Sequence, residues 1–106
     1  MNLELKDQQC LLGCWISDPE DFEGIARYGH VSLEFSKDGR LKYTVHQSEK
    51  REIIFLTYRV EQDSLVTNQP SAPREERTKF EITPSGRLRL LYEQLPSSYI
   101  RKFAAD

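Results

Sequence analysis

The sequence predicts an all-β fold, an eight-stranded antiparallel up-and-down barrel formed by a single domain over residues 1–106. Residues 34–43 and 81–90 share one pattern: an acid, an apolar residue, a hydroxyl, two turn residues, Gly-Arg-Leu, a base and an apolar residue. Each segment is typical of a β-hairpin. Further short segments with strand character recur at regular spacing along the chain. Because an open sheet of eight strands would expose two edges, closure into a barrel is favoured.

The first predicted element is a strand over residues 10–17, which holds both cysteines of the chain, Cys10 and Cys14. On one strand, residues four positions apart stand about 13 Å from each other, which is too far for a disulfide bond. The spacing also differs from the Cys-x-x-Cys pattern, and the chain has no second pair of cysteines to complete a zinc site. We therefore expect two reduced, buried thiols.

Residues 18–29 connect this strand to the next and have the features of a short helix or an ordered loop. Asp18 can cap the N-terminus of a helix, and Pro19 suits the first helical position. Acidic residues occupy the first turn, and Phe22 and Ile25 have the spacing of one helix face. We expect the helix to begin directly after Asp18.

The next two strands are predicted over residues 30–36 and 40–46. A two-residue turn between them would place polar Ser36 opposite apolar Leu41. A three-residue loop that ends at Gly39 instead places Phe35 opposite Leu41, which keeps the apolar residues on one face. Gly39 then takes the left-handed conformation that this loop requires. Further pairs in this register are Leu33–Tyr43 and Val31–Val45.

The remaining strands are predicted over residues 52–60, 64–68, 75–83, 86–93 and 98–103. A loop at residues 68–73 contains two prolines, which exclude a regular ladder. The second hairpin turns at residues 84–86, where Pro84 has the φ that the turn needs and Gly86 takes the left-handed position. Its inward pairs are Ile82–Leu88, Phe80–Leu90 and Thr78–Tyr92. Oppositely charged pairs on the outer face support both registers: Glu34–Lys42, Glu81–Arg89 and Arg77–Glu93.

The segment Gly13-Cys14-Trp15, the meander and the late Tyr99-Ile100-Arg101 together resemble the calycins, in particular small lipocalin-like domains of bacterial proteins. In that family the tryptophan of the first strand packs inside the base of the barrel. An arginine from the end of the barrel lies across its ring. The resemblance therefore implies a structural cation–π contact between Trp15 and Arg101. It implies a lipocalin-like fold and says little about a ligand.

The inward-facing residues predict what the barrel can hold. An eight-stranded barrel is either filled by side chains or encloses one small ligand. Most inward positions carry large side chains, so a long-chain lipid is not expected to fit, whereas a small ligand is. Three inward tyrosines have hydroxyls that need partners, and in this register two threonines lie opposite them. These hydroxyls either reach the rim, one another and water, or line a small, partly polar ligand site; the residues concerned are Tyr43, Tyr58, Tyr92, Thr67 and Thr78.

The composition argues against several classes of partner. The net charge is −2, and the charged residues, 30% of the chain, mix both signs, whereas nucleic-acid binding favours a basic excess. No apolar run approaches the about 18 residues of a membrane span, and residues 1–9 lack the apolar core of a signal peptide. We therefore expect a cytoplasmic protein with no nucleic-acid or membrane partner. The sequence leaves open the oligomeric state and whether a signal sequence was removed.

No pattern in the sequence indicates a catalytic residue, a bound metal or a cofactor. His30 and His46, the only histidines, have outward parity and no carboxylate at metal-ligand spacing. The chain also lacks Gly-x-Ser-x-Gly, a phosphate loop and a paired-carboxylate signature. A protein without catalytic activity is therefore favoured over an enzyme.

Three functions follow as alternatives. The first is a binding module for a small, partly polar molecule, based on the inward tyrosines. The second is a protein-interaction module, such as an inhibitor or immunity-type protein, which would use the outward apolar residues Ile53, Phe55 and Leu91. The third is a barrel isomerase or cyclase with a tyrosine as the acid, which only the analogy of fold supports. An enclosed cavity would favour the first, and a contiguous outer apolar patch would favour the second.

Overall fold

The computed structural model describes residues 8–102 of the chain and the side chains of residues 9–102. It begins with a 3₁₀ helix at Gln8–Leu11 and contains one α-helix, α1, at Phe22–Tyr28. The eight strands are β1 Gly13–Ser17, β2 His30–Phe35, β3 Arg40–His46, β4 Arg51–Glu61, β5 Ser64–Asn68, β6 Glu76–Ile82, β7 Leu88–Tyr92 and β8 Leu95–Lys102. The predicted last strand extended to residue 103, which lies outside the described residues.

The strands form the predicted closed antiparallel up-and-down barrel. Each strand pairs with its neighbours in the chain, and β8 pairs with β1 to close the sheet. Because successive strands alternate in direction, the connections fall into two groups. The end that carries α1, the β3–β4 turn, residues 69–75 and the β7–β8 turn is called the mouth, and the opposite end is called the base. Among the described residues, no helix has the length and apolar character needed to cross a bilayer.

The two related segments form the same hairpin loop. In the first, Ser36 N–H donates to Arg40 O at 2.8 Å and Gly39 N–H donates to Ser36 O at 3.2 Å. The second loop repeats both bonds at equivalent positions, at 2.8 Å each. Gly39 and Gly86 have φ of 84° and 87°, the left-handed values that the loops require. The predicted pairs of β2 with β3, and Phe80–Leu90 and Ile82–Leu88 of β6 with β7, are confirmed.

One predicted charge pair is wrong. The β6–β7 ladder ends at Lys79–Leu91, one pair before the predicted Thr78–Tyr92. The chain then turns into β8 through Glu93, which has a φ of 51°. Glu93 therefore does not lie across from Arg77 on a strand. Arg77 Nη1 instead lies 2.9 Å from Glu61 Oε1, on β4, which is separated from β6 by β5.

The helix begins later than predicted and has a different cap. Residues 18–21 form a turn closed by Asp21 N–H donating to Asp18 O at 2.9 Å. Asp21 is the N-cap, and its Oδ1 accepts from Gly24 N–H at 3.1 Å. Asp18 is a buried residue whose Oδ2 lies 2.8 Å from Arg87 Nε. The turn explains the shift, because it leaves Asp18 too far from the first helical N–H groups to cap them.

The first strand is shorter than predicted, because the 3₁₀ helix extends to Leu11 and β1 begins only at Gly13. Cys10 lies in the helix and Cys14 in β1, so the two cysteines do not share a strand. The two cysteines do not form a disulfide bond, and both residues are half-buried rather than buried. The last strand is longer than predicted and begins at Leu95.

The 3₁₀ helix closes the base of the barrel around Trp15. The Trp15 ring is buried, and its Nε1–H donates to Leu11 O at 3.0 Å. The guanidinium carbon of Arg101 lies 4.2 Å from the centroid of the ring. Arg101 also donates from Nη1 to Leu12 O at 2.6 Å and from Nη2 to Cys10 O at 3.1 Å. One cation thus joins the first and last strands to the segment that covers the base.

Candidate functional site

A cavity of about 540 Å³ occupies the upper part of the lumen and opens at the mouth. Its walls come from α1, from every strand except β1, and from residues 69–75. The deep part is apolar and is formed by Leu33, Phe35, Leu41 and Leu65, all of which are buried. The large inward side chains therefore fill the base of the barrel but leave the mouth end open. The site is concave and mostly apolar, as ligand sites commonly are.

Three tyrosines form a cluster on one side of this cavity, and we call Tyr28, Tyr43 and Tyr99 the tyrosine cluster. Burial raises the pKa of Tyr43, and the neighbouring phenol of Tyr28 adds to the effect. Burial also raises the pKa of Tyr99 strongly; the Ser97 hydroxyl opposes this increase only in part. Desolvation disfavours the phenolate, so both groups keep their hydroxyl hydrogen at neutral pH.

The position of Tyr28 depends on contacts that hold α1 against β8. Asp21 Oδ2 accepts from Ser98 N–H at 2.8 Å. Arg27 Nη1 donates to Pro96 O at 3.0 Å, near the other end of the helix. With both ends anchored, the last residue of α1 reaches the lumen beside Tyr99.

A polar group lies on another part of the wall, and we call Arg74, Glu76 and Tyr92 the rim group. Arg74 Nε lies 3.1 Å from Glu76 Oε2. The Tyr92 hydroxyl is hydrogen-bonded to Glu76, and this bond is the main cause of the raised pKa of Tyr92. Glu76 thus engages both an arginine and a phenol, and the rim group carries no net charge.

The structure brings together four of the five predicted site residues. Tyr43, Tyr92, Thr67 and Thr78 line the cavity. Tyr58 is also inward but is only 5% exposed and lies away from the cavity. Its hydroxyl donates to Ser36 O at 2.8 Å, and its ring meets that of Phe35 edge-on, with 4.9 Å between centroids. Tyr58 is therefore packed in the core with its hydrogen bond made inside the protein.

Sequence reasoning missed four residues of this site: Tyr28, Tyr99, Arg74 and Glu76. Tyr99 alternates with Ser97 and Arg101 on the last strand, and this parity signals that its side chain points inward. Glu76 has the inward parity of Thr78, but an acid at that position reads as solvent-facing. Tyr28 gave no signal, since its placement depends on how α1 docks on β8.

The histidines lie on the outer face of the barrel. His30 and His46 are directly opposed on β2 and β3, and both are exposed. His46 Nε2 is 2.7 Å from Ser32 Oγ. Within residues 8–102, no group of three or more His, Cys, Asp or Glu side chains is placed to hold a metal ion.

The outward apolar residues do not form one patch. Ile53 and Phe55 lie on β4 and are 39% and 67% exposed. Leu91 is 41% exposed but lies on β7, with β5 and β6 between. Phe55 also borders a depression of about 470 Å³ on the outer surface, whose lining includes Glu34, Arg40 and Lys42. These separate side chains weaken the case for a large interaction surface.

The fold is consistent with that of lipocalin-like proteins, since it is a closed barrel of eight antiparallel strands. Comparison of the chain with protein-family models and with curated proteins gives no match. The interpretation of the cavity therefore rests on its own lining residues.

Proposed function

We propose that this protein is a small lipocalin-like barrel of the calycin type that binds a small, partly polar molecule in its lumen without transforming it. The observation that carries the proposal is the cavity of about 540 Å³ at the mouth. This volume lies within the range of about 300–1,000 Å³ typical of small-molecule sites. The deep part, or floor, of the cavity is apolar and its wall carries polar groups, so the cavity suits a ligand with one apolar end and one polar end.

The cavity supports a moderate affinity. A ligand of about 16 non-hydrogen atoms that gains about 0.3 kcal/mol per atom binds with about −5 kcal/mol. This corresponds to a dissociation constant in the sub-millimolar range, or lower for a well-matched ligand. The estimate sets the concentration range over which binding is to be tested.

The chemistry of the tyrosines favours binding over catalysis. A general acid works best when its pKa lies near the working pH. Burial moves the pKa of Tyr43 and of Tyr99 upward, away from that range. Both phenols are thereby better suited to donate hydrogen bonds than to transfer protons. This argues against the isomerase or cyclase alternative.

The proposal is tested by measuring how a substitution that fills the cavity changes the binding of a fluorescent probe. N-Phenyl-1-naphthylamine, an uncharged dye whose emission rises in apolar surroundings, serves as the probe. Thr67 is half-buried on the cavity wall, and Thr67→Phe places a ring in the lumen. Thr57 is exposed on the outer face of β4, so Thr57→Phe is the matched control.

We expect the dye to bind wild type and Thr57→Phe equally, and Thr67→Phe at least tenfold more weakly. Thermal unfolding of all three proteins checks that the barrel is intact. Undetectable binding to wild type at sub-millimolar dye, or equal binding to a folded Thr67→Phe protein, would contradict the proposal.

A further inference from the structure

The charges of the cavity wall limit the charge of its ligand. Arg74 and Glu76 are the only charged residues among those that line the cavity within the described part of the chain. They are paired with each other at 3.1 Å, so the wall carries one charge of each sign and no net charge that would offset the charge of an ion in the lumen. Moving a charge out of water without a free counter-charge is costly. The wall therefore favours an uncharged molecule.

The tyrosine cluster supplies the polar end of the site. Tyr43 faces Leu33 on one neighbouring strand and Ile54 on the other, and neither side chain can accept a hydrogen bond. Within residues 9–102, no side chain or carbonyl accepts from the Tyr43 hydroxyl. The Tyr43 hydroxyl lies near the phenols of Tyr28 and Tyr99 but has no acceptor of its own, and an acceptor that comes from the lumen completes it.

The hydroxyls of the two other strand tyrosines that line the cavity already have partners. Tyr92 is already bonded to Glu76, and Tyr99 interacts with Ser97. Among the three strand tyrosines of the cavity, Tyr43 is thus the donor that a ligand can engage at the smallest cost to existing contacts. Because Tyr43 and Tyr99 resist ionisation, this side of the wall offers hydroxyl hydrogens and no phenolate for a cation.

We infer that the ligand is an uncharged molecule that carries a carbonyl-type oxygen, with this oxygen accepting from the Tyr43 hydroxyl in the tyrosine cluster and the apolar body resting on the floor of the cavity. The inference rests on the proposed function and narrows it to one ligand class. In this inference Tyr43 recognises the ligand, and the rim group only forms part of the cavity wall.

Three probes of similar shape separate the possibilities. Benzophenone is neutral and has the carbonyl, diphenylmethane lacks it, and 4-benzoylbenzoate adds a carboxylate. Their affinities are measured by displacement of N-phenyl-1-naphthylamine from wild type, Tyr43→Phe and Tyr58→Phe. The Tyr58 variant is the matched control, because that hydroxyl lies away from the cavity and donates to Ser36 O at 2.8 Å.

We expect benzophenone to bind wild type about three- to tenfold more tightly than diphenylmethane, the effect of one neutral hydrogen bond. Tyr43→Phe is expected to abolish this ratio, and Tyr58→Phe to retain it. The carboxylate probe is expected to bind no more tightly than benzophenone at low salt.

Two outcomes overturn the inference while leaving a binding protein: equal affinity of benzophenone and diphenylmethane for wild type, or salt-sensitive preference for 4-benzoylbenzoate. Failure of all three probes and of the dye to bind instead removes the proposed function. If Tyr43→Phe does not fold, the ratio of the benzophenone and diphenylmethane affinities for wild type still shows whether a carbonyl oxygen on the ligand strengthens binding. Tyr43→Leu then provides a second variant without the hydroxyl.

Discussion

Removal of the Arg101 guanidinium is expected to weaken the base of the barrel far more than removal of a guanidinium from its surface. Arg101→Met keeps most of the apolar stem but loses the contact with Trp15 and the two bonds to backbone carbonyls. The cation–π contact contributes about 0.5–2 kcal/mol, and each hydrogen bond from a charged donor contributes about 1.5–3 kcal/mol. The gross loss is about 3.5–8 kcal/mol.

The net loss is smaller because Arg101 is only half-buried, and water reaches part of the site after the change. Taking half of the gross value gives about 2–4 kcal/mol in the free energy of unfolding. For a domain of this size about 4 °C of melting temperature corresponds to 1 kcal/mol, so the expected shift is about 8–16 °C. Urea unfolding, followed by the fluorescence of Trp15, measures the free energy directly.

Arg89→Met is the matched control. Arg89 lies on the outer face of β7, and its Nη1 is 3.5 Å from Glu81 Oε2 in an exposed pair. Loss of such a pair costs at most about 1 kcal/mol. A loss for Arg101→Met that does not exceed that of Arg89→Met would refute the reasoning that one arginine holds the base closed. A double-mutant cycle with Trp15→Phe, followed by far-UV circular dichroism because this variant lacks the tryptophan, isolates the ring contact, for which we expect about 0.5–2 kcal/mol of coupling.

Two further predictions concern the backbone of the base and the buried phenols. Gly13 has a φ of 109°, and an added Cβ would lie 2.9 Å from Arg101 Nη1. Gly13→Ala is therefore expected to lower the free energy of unfolding by about 1–3 kcal/mol in urea titrations. An unchanged midpoint of urea unfolding would contradict this. Because the folded protein raises the pKa of Tyr99 above its ordinary 10.0, the stability that this group contributes is complete below pH 10 and is lost as the pH rises further, when the unfolded chain ionises first. Tyr99→Phe should flatten the decline in stability above about pH 10, and an equally steep decline in the variant would show that burial of this phenol is not its cause.

The hairpins were predictable because their signals are local. Strand side chains alternate with a period of two, so the apolar residues around Gly39 permit one register. The glycines at positive φ and the loop hydrogen bonds then follow from the same few residues. The pair Arg77–Glu93 failed for the converse reason: it assumed that β7 continued past Tyr92, whereas the chain turns there into β8.

The members of the site were only partly predictable, as Tyr43 and Tyr58 illustrate. Both have inward parity, and nothing in their neighbouring residues separates them. In the barrel, Tyr58 N–H donates to Gly39 O, which places Tyr58 beside the β2–β3 loop at the base. Tyr43 lies nearer the mouth, where the lumen is open. Height along the barrel depends on the stagger of all eight strands, which no local pattern specifies.

The sequence by itself determined that the chain forms an antiparallel meander, which residues face inward and how two hairpins pair, because periodicity and turn chemistry act over a few residues. Only the tertiary structure decided that the lumen is filled at the base and open at the mouth, and that Tyr28, Tyr43 and Tyr99 meet on one wall. Those residues come from α1, β3 and β8, and they are brought together by closure of β8 on β1 and by the docking of α1, which join segments at opposite ends of the chain.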